Sequence, residues 1–131
     1  MPTIEIVSQK RVEMIDVTDA VRHALTESGH QSGLVHLFTP HTTAAITINE
    51  NADPDVVRDL ITTLNQLIPL DGDYRHLEGN SAAHLKSSLI GCSETVPFAS
   101  GRLQLGTWQG IYFCEFDGPR RRQLQIKVLQ G

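Results

Sequence analysis

The hydrophobic period of this chain switches repeatedly between two and about 3.6, and that switching constrains the fold more than any other feature. Thr3–Val7 and Arg11–Ile15 both alternate apolar and polar residues. They read as two strands joined through Ser8-Gln9-Lys10 as a hairpin. Asp16 or Thr18 then caps a helix whose inner stripe is Val21, Ala24 and Leu25. Gly29 stops it by accepting a left-handed conformation. Leu34–Phe38 is a strand broken by Pro40, and Thr42–Asn49 is a second strand rich in β-branched residues. Asp53-Pro54 pairs an N-cap acid with proline at the first helical position. The helix it opens carries Val56, Val57, Leu60, Ile61, Leu64, Leu67 and Ile68 on one face, which predicts packing on a sheet.

After a polar loop from Leu70 to Glu78, Asn80 or Ser81 caps a third helix that runs to Ile90 and stops at Gly91. The rest is β: Glu94–Pro97, Leu103–Leu105, Ile111–Phe116 and Gln123–Leu129, with Asp117-Gly118-Pro119 as a turn before the last strand. Strands and helices in this order predict one α+β domain over residues 1–131. Its mainly antiparallel sheet is covered by two to three helices.

Composition narrows the function classes. The 131 residues are 40% hydrophobic and 20% charged, ordinary for a globular domain. With net charge −4 and Arg120–Arg121–Arg122 as its basic cluster, the chain lacks the basic face that nucleic-acid binding requires. No stretch approaches the ~20 apolar residues of a membrane span. The first residues, MPTIEIVSQKR, lack the apolar segment of a secretory signal, and the expected location is the cytoplasm. Cys92 and Cys114 form no CxxC pair and are expected to be reduced, small apolar residues.

The stretch HLEGNSAAHLKSSLIG carries the chemistry. His76 lies in the loop and His84 on the helix, eight positions apart, which is not a standard zinc spacing. Asn80, Ser81 and Ser88 share the face of His84. A third histidine, His41, stands at the end of the strand Thr42–Asn49. One face of that strand, Ala44, Ile46 and Ile48, reads as core. The other, Thr43, Ala45, Thr47 and Asn49, is small and free of long charges, which suits the approach of a ligand or another chain. Three histidines would leave a metal position open for water or substrate, as in a catalytic zinc site. Glu50, Asp53 and Glu78 are the nearby carboxylates, with Asp53 assigned first to its helix cap. His23, His30 and His36 are expected to be structural or exposed.

In the final strand Leu124, Ile126 and Val128 point one way, and that parity puts Arg120 and Arg122 on the same side. Inward arginines need a partner. Asp117, Glu115, a carboxylate of another chain and a substrate phosphate or carboxylate all qualify. Trp108, between Gly106 and Gly110, is expected to anchor a core or a subunit interface rather than to stack on a substrate.

Three segments, HTTAAITINENADPDV, YRHLEGNSAAHLKSSLIG and GRLQLGTWQGIYFCEFDGPRRR, resemble the YjbQ-like family, small proteins described as secondary thiamine-phosphate synthase enzymes. The resemblance spans residues 41–122 and implies a sheet curling toward a barrel, assembled as a homotrimer. It also implies a histidine-rich site of His41, His76 and His84, with Asn49, Glu50, Asn80 and Ser88 close by, and a divalent metal on the three histidines is the expectation their number and type support. Arg120 and Arg122 would join that site or a subunit boundary. The expected function is that of a metal-dependent enzyme acting on a small phosphorylated or anionic metabolite. Glu50 or Glu78 would serve as base, and weak thiamine-phosphate synthase activity is implied by the resemblance. Histidine ligands favour zinc, while pyrophosphate chemistry favours magnesium. The competing readings are a non-catalytic trimeric module that binds a metal or an anion, and a trimer whose histidines are structural.

Overall fold

The structure, a computed structural model, describes residues 2–131. Its elements follow the order β1 (Thr3–Val7), β2 (Glu13–Asp16), α1 (Thr18–Ser28), β3 (Gly33–Phe38), β4 (Ala44–Glu50), α2 (Pro54–Leu67), α3 (Ser81–Ile90), β5 (Ser93–Ala99), β6 (Arg102–Leu103), β7 (Gln109–Glu115) and β8 (Arg121–Gln130). Strands pair antiparallel in two sheets, ordered β1-β8-β3-β5-β6 and β2-β7-β4. The result is an α+β fold with a curled, half-barrel antiparallel layer and three helices.

The main core lies between the sheets. Val35, Leu37, Val96, Phe98, Leu124 and Ile126 come from the larger sheet, and Ala44, Ile46, Ile111 and Phe113 from the smaller. Helix α1 closes the core with Val21 and Leu25. Its C-cap is Gly29 at φ 71°, the left-handed stop expected there. At its start the N-cap position falls on Val17, and Asp16 accepts from both the backbone N–H and the hydroxyl of Thr18.

One expectation is overturned and two are narrowed. First, β1 and β2 do not form a hairpin: β1 pairs with β8 and β2 with β7, in separate sheets. Alternation specifies a buried face but not the partner strand. The Ser8–Arg11 connection instead crosses between sheets beside the Asp117–Arg120 turn, with Ser8 N–H donating to Arg120 O and Gly118 N–H to Arg11 O. Second, α2 starts as expected, with Asp53 accepting from Asp55 N–H and proline in the first turn, yet none of its residues is fully buried. Only Val57 and Leu64 reach the second, smaller core cluster, and Leu67 stays exposed. The outer face of β4 is taken by α3, whose Ala82, Ala83 and Ser87 let helix and strand approach closely. Ser87 Oγ donates to Ala44 O at 2.6 Å. The small residues on that face of β4 therefore accommodate the chain's own helix. Third, Trp108 is 62% exposed and anchors no core within this chain.

Gly33 begins β3 at φ +146°, and a Cβ built there would lie 1.8 Å from Leu129 O of β8. Gly33→Ala is expected to cost at least about 2 kcal/mol, from backbone strain plus the displaced ladder. A fall in the urea midpoint with an unchanged m-value would show it.

Candidate functional site

Where β3 ends at Phe38, the connection to β4 takes over the hydrogen bonds at the start of β8. Thr39 Oγ1 donates to Gln123 O at 3.2 Å, and Gln123 N–H donates to His41 Nε2 at 2.9 Å. Accepting that N–H fixes the His41 tautomer, leaving the proton and the free edge at Nδ1. Burial and the neighbouring Arg122 and Arg120 push the His41 pKa below its ordinary value, against the opposing charge of Glu115. His41 is thus neutral at pH 7.

Beneath it lies a buried ion pair. Arg122 Nε donates to Glu115 Oε1 and Oε2 at 2.9 and 3.1 Å, and its Nη2 donates to Glu115 Oε2 and to Thr43 Oγ1 and O. Ser8 Oγ donates to Glu115 at 2.6 Å, and Asp117 N–H donates at 3.0 Å. Burial by itself would raise the Glu115 carboxyl, but these donors hold it below its ordinary value. Arg122 therefore points inward, as its parity predicts, and its partner is a carboxylate of its own chain. Arg120 departs from that parity and is exposed. Its Nε donates to Asp117 O and its Nη2 to Asp117 Oδ2, at 2.8 and 3.0 Å. Asp117 also receives Asn80 Nδ2 at 2.8 Å and faces Arg11 at 3.6 Å. Asn80 thus ties the start of α3 to the Asp117 turn instead of bonding its own helix N-terminus, and its Oδ1 is buried without a partner.

His84 stands on α3 between two clefts. One, of about 580 Å³, is lined by His41, His84, Ser88, Ser87, Thr39 and Cys92 among others. The other, of about 380 Å³, is lined by Tyr74, Arg75, His76, Ser81 and His84 among others. The rings of His76 and His84 meet edge to face, centroids 5.3 Å apart. Glu78 lies 3.8 Å from His76 Nε2 and is exposed. Asn49 and Glu50 lie at the far end of the seven-residue strand β4 from the His41 loop, about 20 Å away along the strand. Asn49 Oδ1 accepts from Glu50 N–H, and Glu50 O accepts from Tyr112. Within one chain, then, the structure gathers His41, His84 and Ser88, sets His76 against His84, and leaves Asn49 and Glu50 apart.

A family model described as UPF0047 protein YjbQ-like matches residues 2–131. The chain belongs to this family. It is 53% identical over 130 residues to the UPF0047 protein YugU of Bacillus subtilis, covering 98% of each chain. Against a UPF0047 protein of Methanocaldococcus jannaschii the identity is 52% over 125 residues, covering 95% of this chain and 91% of the other. The crystal structure of an uncharacterized YjbQ/UPF0047 protein from Clostridium acetobutylicum superposes with a TM-score of 0.97 at 50% identity, covering 98% of this chain and 100% of that one.

The expected metal site requires three converging histidine donors. Among the described residues, no group of three or more His, Cys, Asp or Glu side chains converges as a metal site. His41 offers only Nδ1, because its Nε2 already accepts from the Gln123 backbone. A single chain of this UPF0047 protein therefore presents a histidine pair and a nearby third imidazole, not a closed three-ligand set. Sequence reasoning missed Thr39, Cys92 and Arg75 as cleft residues. Thr39 carries no motif, Cys92 was read as an apolar filler, and Arg75 sits in a polar loop without periodicity. Cys92 is exposed, whereas Cys114 is buried and its thiol is pushed up to about 12 by burial. Among the described residues no helix is long and apolar enough to cross a membrane.

Arg122→Ala leaves Glu115 buried and unpaired, and is expected to cost about 3–5 kcal/mol in denaturant unfolding. The depressed His41 pKa means the unfolded chain takes up the proton first. Its contribution to stability is thus present above 6.5 and is lost as pH falls from there through the lower folded value. His41→Gln keeps an acceptor for the Gln123 N–H and is expected to flatten the stability profile in that window. The Glu115 contribution is lost only in the more acid range, below 4.5.

Proposed function

We propose that this UPF0047 protein is an enzyme acting on a small phosphorylated or anionic metabolite at the cleft between His41 and His84, with a divalent metal as cofactor. The observation that carries the reading is the placement of His84. It shares one cleft with neutral His41 and Ser88, and meets His76 in the other. Neutral imidazoles serve as ligands or as proton acceptors near pH 7. Arg120, held by Asp117 with its side chain half exposed, supplies a guanidinium for an anionic group. The imidazole donors favour zinc over magnesium. Such an ion would supply Lewis-acid polarisation of a phosphoryl oxygen.

His76 and His84 are the residues we assign to the metal first, with the free Nδ1 edge of His41, in the same cleft as His84, as the candidate third donor. We place the site near a boundary of a homotrimer. Trp108, Leu77 and Leu89, at 62%, 97% and 62% exposure, support a further protein surface covering this molecule. A second copy is also the route by which Asn49 and Glu50 would reach the histidines. Thiamine-phosphate synthesis is taken as a side activity of a broader phosphoryl chemistry.

The second reading is a trimeric metal- or anion-binding module without turnover. The engagement of His41 Nε2 by the backbone favours it, because that nitrogen is spent on structure.

Elemental analysis of untagged protein and of His84→Ala, paired with a screen of phosphorylated metabolites, separates the two. The enzyme reading expects about one zinc per chain, lost in the variant, and turnover that falls at least about 100-fold with it. Metal without turnover on any substrate would establish the binding module. No metal in either protein, after dialysis against zinc, would remove the cofactor from both readings.

A further inference from the structure

Lys86 follows His84 by two residues, so the 100° step of a helix turns it to the opposite side of α3. There it is only 3% exposed. Its Nζ donates to Asn65 Oδ1 of α2 and lies 5.9 Å from the centroid of the Phe116 ring. Among the described residues no carboxylate lies within ion-pair distance of it: the buried cations Arg122 and Lys86 differ in that only the arginine has an acid partner. A buried ammonium satisfied by one amide oxygen and a ring face is short of negative charge.

The space it faces has room for that charge. A cavity of about 400 Å³ is lined by Lys86 together with both of its neighbours, Asn65 and Phe116, so the ammonium end of the side chain borders it. Val12, Leu70 and Pro69 add apolar wall, and Arg11 adds a second cation. Asp71 also borders the cavity but is exposed, on the loop after α2. Negative charge at the exposed border and positive charge at the buried end orient a ligand with its acid group inward.

We propose that this cavity is a binding site for a small organic anion, with an acid group on Lys86 and Arg11 and a compact apolar body against Phe116, Val12 and Leu70. The site is separate from the histidine cleft and does not rest on the function assigned to it. Its volume suits a ligand of metabolite size. Arg11 connects the two regions, because it also faces Asp117, which holds Asn80 and Arg120. A ligand drawing Arg11 inward would loosen that group.

Calorimetric titration at pH 7 with benzoate, and separately with inorganic phosphate, tests the proposal on the intact protein. Saturable binding of benzoate at one site per chain is expected, weakened at least about tenfold in Lys86→Met, which keeps the apolar stem. Arg11→Gln, at an exposed position, is expected to weaken it about three- to tenfold, and it decides the matter if Lys86→Met fails to fold. Phosphate binding with the same dependence on both residues would assign the site to the acid group alone. No saturable binding of either probe, or a Kd unchanged in both variants, overturns the proposal. So does binding that survives both substitutions and is lost in His41→Gln, which would put the anion in the histidine cleft.

Discussion

The buried pair of Arg122 and Glu115 is the contact on which the rest of the site depends. Glu115 ends β7 in the smaller sheet and Arg122 is the second residue of β8 in the larger, so the pair locks the two sheets together where the chain crosses between them. Ser8, after β1, and Thr43, before β4, complete its hydrogen bonds. Three connections, β1–β2, β3–β4 and β7–β8, thus converge on one charge pair. Two ions taken out of water are tolerated only when the remaining donors and acceptors are matched, and here they are.

The candidate site is built on that lock. Thr39, His41 and Thr43 clamp onto the first residues of β8, and the charge of Arg122 helps keep His41 neutral. Asp117, two residues beyond Glu115, gathers Arg11, Arg120 and Asn80, and through Asn80 it positions the start of α3. The orientation of His84 therefore depends on a turn far away in sequence. The fold and the candidate site thus share the same residues.

Helix α3 separates two environments. Its small face lies against β4, with Ser87 bonded to the strand. Its His84–Ser88 face opens to the histidine clefts, and its Lys86 face meets Asn65 and Phe116. Helix α2 sits outside this layer with no fully buried residue, and its apolar stripe is only partly used.

What the sequence determined by itself was local. Period-two and period-3.6 patterns located the strands and helices, Asp53-Pro54 and Gly29 marked helix ends, and parity placed Ala44, Ile46 and Ile48 in the core and turned Arg122 inward. The family and the histidine-bearing segments were legible for the same reason, since motifs are contiguous. Pairing was decided only by the tertiary structure. The apparent hairpin is absent because β1 pairs with β8 and β2 with β7 in different sheets, and alternation names no partner. The small face of β4 was filled by α3, Arg120 was drawn outward to Asp117, and Asn49 and Glu50 were carried away from His41 along a rigid strand. Each of these outcomes depends on a contact between residues far apart in the chain. Such contacts are set by the shape of the whole core, and no window of sequence contains them.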